Sequence, residues 1–276
     1  MIRAQHKKFW EQYPSSSKAS QKWDEELEKA RIKQPIRHLK HEPKMVGITP
    51  KTRRFLTIKG LWYTMRHKYG WLTIGNLIIR RPIRILKGIY NYLTQSNNTK
   101  KEDDFYFYDI GSEDEFVKQH NDKKTITVFG FSYCHKPFEC PSGRFSNRCE
   151  HQINHRVCSQ CYISKAYHQI PTRESNHFTV IPTIHDIGET IIELLLKNPN
   201  KNILFLISAC EMTLEMFQPW SRMTQIKGIG IRLGGRICNT MKAFDYSERG
   251  IKPGLTTIRP HTQDRINRLL ETLRSN

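Results

Sequence analysis

From residue 124 onward the chain alternates short, nearly uncharged apolar runs with amphipathic ones. The runs at 125–132, 177–182, 202–208 and 227–233 are rich in Ile, Val, Leu and Phe, which predicts strands buried on both faces. Between them, 186–197 places Ile187, Ile191, Leu194 and Leu195 at helical spacing, and 261–274 does the same with Ile266, Leu269, Leu270 and Leu273. Strands alternating with helices predict an α/β domain over 124–276, a mainly parallel sheet with flanking helices. In such sheets, sites form beyond the carboxyl ends of the strands. Cys134, His185, the pair Cys210-Glu211, and Cys238 each follow one of the predicted strands.

The first hundred residues follow a different pattern. Residues 20–33 read as a helix with an acidic first half and a basic second half, stopped by Pro35. A second helix is expected from Pro82, with Ile83, Leu86, Tyr90 and Leu93 on one face and Arg84, Lys87 and Asn91 on the other. Residues 1–100 carry 22 Lys and Arg against 6 Asp and Glu, a net charge of +16 out of +19 for all 276 residues. This basic, mainly helical N-terminal region interleaves its cations with Trp62, Tyr63, Tyr69 and Trp71. That mixture suits an anionic membrane surface or nucleic acid, or an apolar face packed on the second domain. Residues 101–123, acidic with the aromatic run Phe105-Tyr-Phe-Tyr108, read as a linker or as a short edge strand.

Candidate chemistry concentrates in one loop. Five of the seven cysteines fall between Cys134 and Cys161, spaced C-x5-C-x8-C-x8-C-x2-C. Cys158 and Cys161 can reach one metal ion, and Cys140 and Cys149 would complete four thiolates, with Pro141, Ser142 and Gly143 turning the chain back. Cys134, Cys210 and Cys238 are candidate additional ligands, and His135, His151 and His155 are candidate replacements for a missing thiolate. The spacing leaves zinc and an iron-sulfur cluster both open. A disulfide framework is the weaker reading. Seven is odd, the N-terminus lacks the apolar core of a signal peptide, and the uncharged part of 69–79 is too short to span a bilayer. The expected setting is therefore a reducing cytoplasm, with the basic N-terminal region able to hold the protein peripherally at a membrane.

Cys210 precedes a predicted helix starting at Glu211, whose amides would favour a thiolate, and Glu211 would exchange protons with it. The ordered set Cys140, Cys149, Cys158-x-x-Cys161, Ser208-Ala-Cys-Glu211 and Gly235-Arg-Ile-Cys-Asn-Thr240 resembles the cysteine-rich prokaryotic domain-of-unknown-function family one hundred and sixteen over roughly residues 125–258. The resemblance implies a cysteine-lined, metal-binding α/β domain without an established reaction. This chain departs from the family's denser cysteine groups in having one close pair. Phosphate-loop, nucleophile-elbow and His-Glu-x-x-His signatures are absent, and Gly228-Ile-Gly230 reads as a tight strand position. The expected function is a metal-binding protein, a redox or metal-dependent enzyme with its site at the strand ends. The alternative is a zinc-stapled module that binds nucleic acid or an anionic membrane.

Overall fold

The structure is a computed structural model, and it describes residues 75, 78–94, 99–235, 237, 238, 241–252, 254 and 256–275. The expected helix at 20–33 and the aromatic and basic stretch before residue 75 lie outside the described residues.

The elements are α1 (Pro82–Thr94), β1 (Lys100–Glu102), β2 (Phe105–Tyr108), α2 (Glu113–His120), β3 (Thr125–Ser132), a 3-10 turn (Tyr133–His135), α3 (Tyr162–Gln169), β4 (Asn176–Ile181), α4 (Ile184–Lys197), β5 (Asn202–Ala209), α5 (Glu211–Thr224), β6 (Lys227–Arg232), β7 (Gly234–Gly235), α6 (Met241–Glu248), β8 (Thr256–Thr257) and α7 (Pro260–Ser275). Six strands form the main sheet in the order β1-β2-β6-β5-β3-β4. The four predicted strands are its parallel part, and β2 joins β6 antiparallel, with Phe105 opposite Ile231 and Phe107 opposite Ile229.

Residues alternate between two cores, because successive side chains on a strand point to opposite faces. Phe105, Phe107, Phe129, Phe131, Leu204, Leu206, Ile229 and Ile231 meet α7 through Ile266, Leu269, Leu270 and Leu273. Tyr106, Tyr108, Val128, Phe205 and Ile207 meet Ile187, Ile191 and Leu195 of α4 and Leu214 and Phe217 of α5. Gly230 is needed for this second layer, since a Cβ there would stand 2.6 Å from Leu214 Cδ2 and 2.9 Å from Tyr108 Cε2.

Two expectations are corrected. Residues 101–123 are not a linker: β2 is fully buried between β1 and β6, and α2 follows it, so the α/β fold begins near residue 100 rather than 124. Several of the acidic residues that suggested solvent are held by partners instead. Asp104 accepts from Arg232 Nε at 2.9 Å, Arg259 Nε at 2.7 Å and Thr262 Oγ1 at 2.7 Å. The second correction concerns α1, whose inward face is not its apolar one. Arg81 donates to the Leu195 and Pro199 carbonyls at 2.7 and 2.8 Å, and Arg84 donates to those of Thr224 and Gln225 at 2.9 and 3.1 Å. These carbonyls close the C-terminal ends of α4 and α5, where free acceptors and the helix dipole favour a cation.

Candidate functional site

The chain passes from β3 outward to β4 and then returns to the other side of β3 as β5. The β3/β5 boundary is therefore the topological switch point, where a parallel sheet opens a crevice beyond its strand ends. Ser208 of β5 and His135 after β3 meet there, with His135 Nε2 2.9 Å from Ser208 Oγ, which also accepts from Ser132 N at 3.3 Å. Burial, reinforced by the Lys252 charge, brings the His135 pKa down to about 3, so its ring is neutral. Beside it opens a cavity of about 610 Å3 lined by His135, Glu139, Arg156, Cys161, Tyr162 and Thr256, among others. The Tyr162 hydroxyl and Thr256 Oγ1 are buried with no hydrogen-bond partner among the described residues.

All seven cysteines are free thiols, and they divide into two groups, each gathered about a buried lysine. The first surrounds Lys136. Its ammonium donates to the Gly143 carbonyl at 3.1 Å, to the Ser146 carbonyl and hydroxyl at 3.0 Å, and to the Arg148 carbonyl. Burial lowers the Lys136 pKa, opposed by the nearby thiols of Cys140, Cys149, Cys161 and Cys158. The expected turn is present, with Gly143 at φ 75° and its N–H on the Cys140 carbonyl at 2.9 Å. Cys161 stands at the N-terminus of α3, and its N–H reaches the Cys158 carbonyl at 3.1 Å. Burial raises the pKa of Cys140, and it pushes Cys149 up to about 11. Among the described residues, no three of these sulfurs lie within 4.8 Å of one another.

Two of the expected histidines serve other contacts. His151 stacks on Tyr167 at 3.6 Å, and His155 Nδ1 accepts from Val157 N at 3.2 Å.

The second group surrounds Lys252, with Cys134, Cys238 and Cys210 all close enough to stabilise its charge against burial. Lys252 Nζ lies 3.4 Å from Cys238 Sγ, and Cys210 Sγ lies 3.1 Å from Thr213 Oγ1. A hydrogen bond from Cys210, aided by Lys252 and Ser247 against burial, brings Cys238 down to about 5. The same hydrogen bond, with burial, pushes Cys210 up. Cys210 does stand at the N-terminus of α5, and its hydrogen bond, with the Lys252 charge, lowers the pKa of Cys238. Glu211 is engaged elsewhere. Its carboxylate accepts from Tyr106 Oη at 3.0 Å and lies 3.9 Å from Arg232.

Arg144 ties the two groups together. Its Nε donates to the Lys136 carbonyl at 3.1 Å, and its two terminal nitrogens donate to the carbonyls of Lys252 and Gly254. Lys136, Lys252, Arg144, Tyr162 and Ser208 are the site residues that sequence reasoning missed. Lys136 lies between Cys134 and Cys140 in the chain, and that adjacency was the available signal.

One further cluster has ligand-like spacing. The donor atoms of Asp103, Asp104 and His261 lie within 4.8 Å of one another. Arg259 pairs with both carboxylates and Arg232 with Asp104, while His261 Nε2 sits 2.5 Å from Asp103. Two guanidinium groups at that point oppose a metal cation, so the cluster is an ion-pair clasp between the β1–β2 turn and the start of α7.

No protein-family model matches the chain, and neither the curated proteins nor the solved structures yield a significant match.

Proposed function

We propose that this protein is a metal-binding thiol enzyme in which Cys140, Cys149, Cys158 and Cys161 hold a zinc ion or an iron-sulfur cluster. The cavity at the β3/β5 crevice would receive its substrate. What supports this reading is that four cysteines, two of them as Cys158-x-x-Cys161, lie on the loop that also holds buried Lys136 and near enough to it for their charge to act on its ammonium. Four thiolates on a divalent ion leave a net negative charge, and an ammonium already fixed by three carbonyl groups offsets it. A single zinc ion would draw the sulfurs closer together than they stand, since four thiolates at about 2.3 Å from one ion lie within about 4 Å of one another, whereas in an iron-sulfur cluster the cysteines bind separate irons and stand farther apart. When bound, the metal would supply Lewis acidity or electron transfer.

The chain's own residues would do the rest. Cys161 belongs both to the ligand set and to the cavity wall, so a molecule in the cavity would lie beside the metal. The exposed side chains of Glu139, Arg156 and Gln160 on the cavity wall would hydrogen-bond to that molecule and orient it. Neutral His135, fixed through Ser208, would hydrogen-bond to that molecule through the ring nitrogen not bonded to Ser208. Cys238, with Cys210 as hydrogen-bond donor, forms a separate thiol group rather than part of the same ligand shell. A non-catalytic zinc staple of the 136–161 loop is the second reading. The placement of Cys161 on a cavity wall favours the first.

The test is anaerobic purification followed by metal and acid-labile sulfide analysis and a visible spectrum, for the native chain, Cys158→Ala and Cys210→Ala. Metal in the native chain and in Cys210→Ala, but lost from Cys158→Ala, is the expected result. Loss from both variants would merge the two cysteine groups into one centre. Folded, metal-free native protein would overturn the reading.

A further inference from the structure

Six of the eight exposed large apolar side chains among the described residues, Ile78, Ile79, Ile83, Leu86, Ile89 and Tyr90, lie on or just before α1. Ile79, Ile83, Leu86 and Tyr90 are 78, 81, 67 and 66% exposed. Ile83 and Leu86, three residues apart, form an outward stripe on α1, and Ile79 extends it on the helical turn that precedes the non-helical Arg81. The opposite face is fixed to the domain. Arg81 and Arg84 bond to the ends of α4 and α5, and Ile85 packs with Ile192, Leu196 and Trp220. Gly88 rests so close to Met223 that a Cβ would stand 2.1 Å from its carbonyl oxygen. The stripe therefore cannot turn inward by rotating the helix without breaking this anchorage.

We propose that α1 docks the protein on an anionic membrane surface, lying in the plane of the interface with the stripe inserted among the acyl chains. Charge selects this occupant. Exposed Arg80 and Lys87 flank the stripe on one side, and residues 43–101 contain no Asp or Glu at all. An interfacial helix combines an apolar face with cations at headgroup level in this way. Nucleic acid fits less well, because the exposed apolar residues of this face are aliphatic apart from Tyr90, which leaves bases little to stack on. At 13 residues α1 is too short to cross the bilayer, so it would lie in the plane of the interface. The inference does not depend on metal at the cysteines.

Flotation of the full chain with phosphatidylcholine vesicles, with and without phosphatidylglycerol, tests it. Binding is expected to the anionic vesicles, weakened by salt, and reduced at least about tenfold in the double variant Ile83→Asp, Leu86→Asp. Both side chains are exposed, so the variant's unfolding midpoint should stay near that of the native chain. A second variant, Arg80→Gln with Lys87→Gln, should lose the preference for phosphatidylglycerol while keeping its fold. Equal vesicle binding by the native chain and the apolar double variant would place the contact elsewhere and overturn the proposal. So would absence of vesicle binding together with either a single-stranded oligonucleotide complex or a dimer in sedimentation that the double variant abolishes.

Discussion

The Lys252 ammonium lies 3.4 Å from the sulfur of Cys238, and both groups are buried. Together with the hydrogen bond from Cys210, this contact makes Cys238 the thiolate of its group, with a pKa of about 5. The ultraviolet thiolate band should therefore persist from neutral pH down to about pH 5. Cys210→Ala should raise the pH at which the band disappears the most, and Lys252→Met should raise it less. A band unchanged in both variants would mean that the thiolate belongs to another cysteine.

Gly88 gives α1 its seat. Because a Cβ would meet the Met223 carbonyl oxygen at 2.1 Å and its carbon at 2.7 Å, Gly88→Ala must lift the helix from α5. Overpacking of this kind costs about 1–3 kcal/mol. The unfolding midpoint should fall, and amide exchange should accelerate over α1 while that of the central strands stays slow. Unchanged exchange over α1 would contradict the close seating.

Asp104 joins the β1–β2 turn to β6 and α7 through Arg232, Arg259 and Thr262. Burial alone would raise its pKa, but those hydrogen bonds and the arginine charges outweigh it and hold the group below the usual carboxylate value. Its stabilising contribution is present above the unfolded pKa and is lost as pH falls through the lower folded one. Asp104→Asn should cost about 2–4 kcal/mol near neutral pH, measured by denaturant unfolding, and the loss should shrink in acid. A variant equally destabilised at every pH would show that the charge plays no part.

His120 should produce acid sensitivity at higher pH. It is buried at the end of α2 with Nδ1 2.9 Å from Thr127 Oγ1, and burial, assisted by the Arg173 charge, brings its pKa down to about 4. The unfolded chain then binds one more proton than the folded one between about pH 6.5 and 4. Stability is full above this window and falls as pH drops through it. His120→Gln should flatten that part of the stability curve relative to the native chain. An identical slope in the variant would assign the proton uptake to another group.

Local pattern determined the four parallel strands and the helices α4 and α7. A strand buried on both faces is nearly all apolar, and a helix on a sheet must repeat its apolar residues every three or four positions, so both leave a trace in any short window. The β3 segment agrees with the expected 125–132 at both ends. The cysteine loop and its turn at Gly143 were legible for the same reason, since the spacing is local.

Three features were decided by the tertiary structure. β2 became an inner strand because arginines from β6 and the segment before α7 supply the partners that its acidic neighbour Asp104 needs. The seven cysteines divided between Lys136 and Lys252, residues 116 positions apart in sequence, because Arg144 holds the two segments together. Periodicity identified the two faces of α1 but not which one turns inward. The carbonyl ends of α4 and α5 bind Arg81 and Arg84, and this leaves the stripe through Ile79, Ile83 and Leu86 facing out. A sequence window records which residues share a face, whereas the partner of that face depends on chain segments more than a hundred residues away.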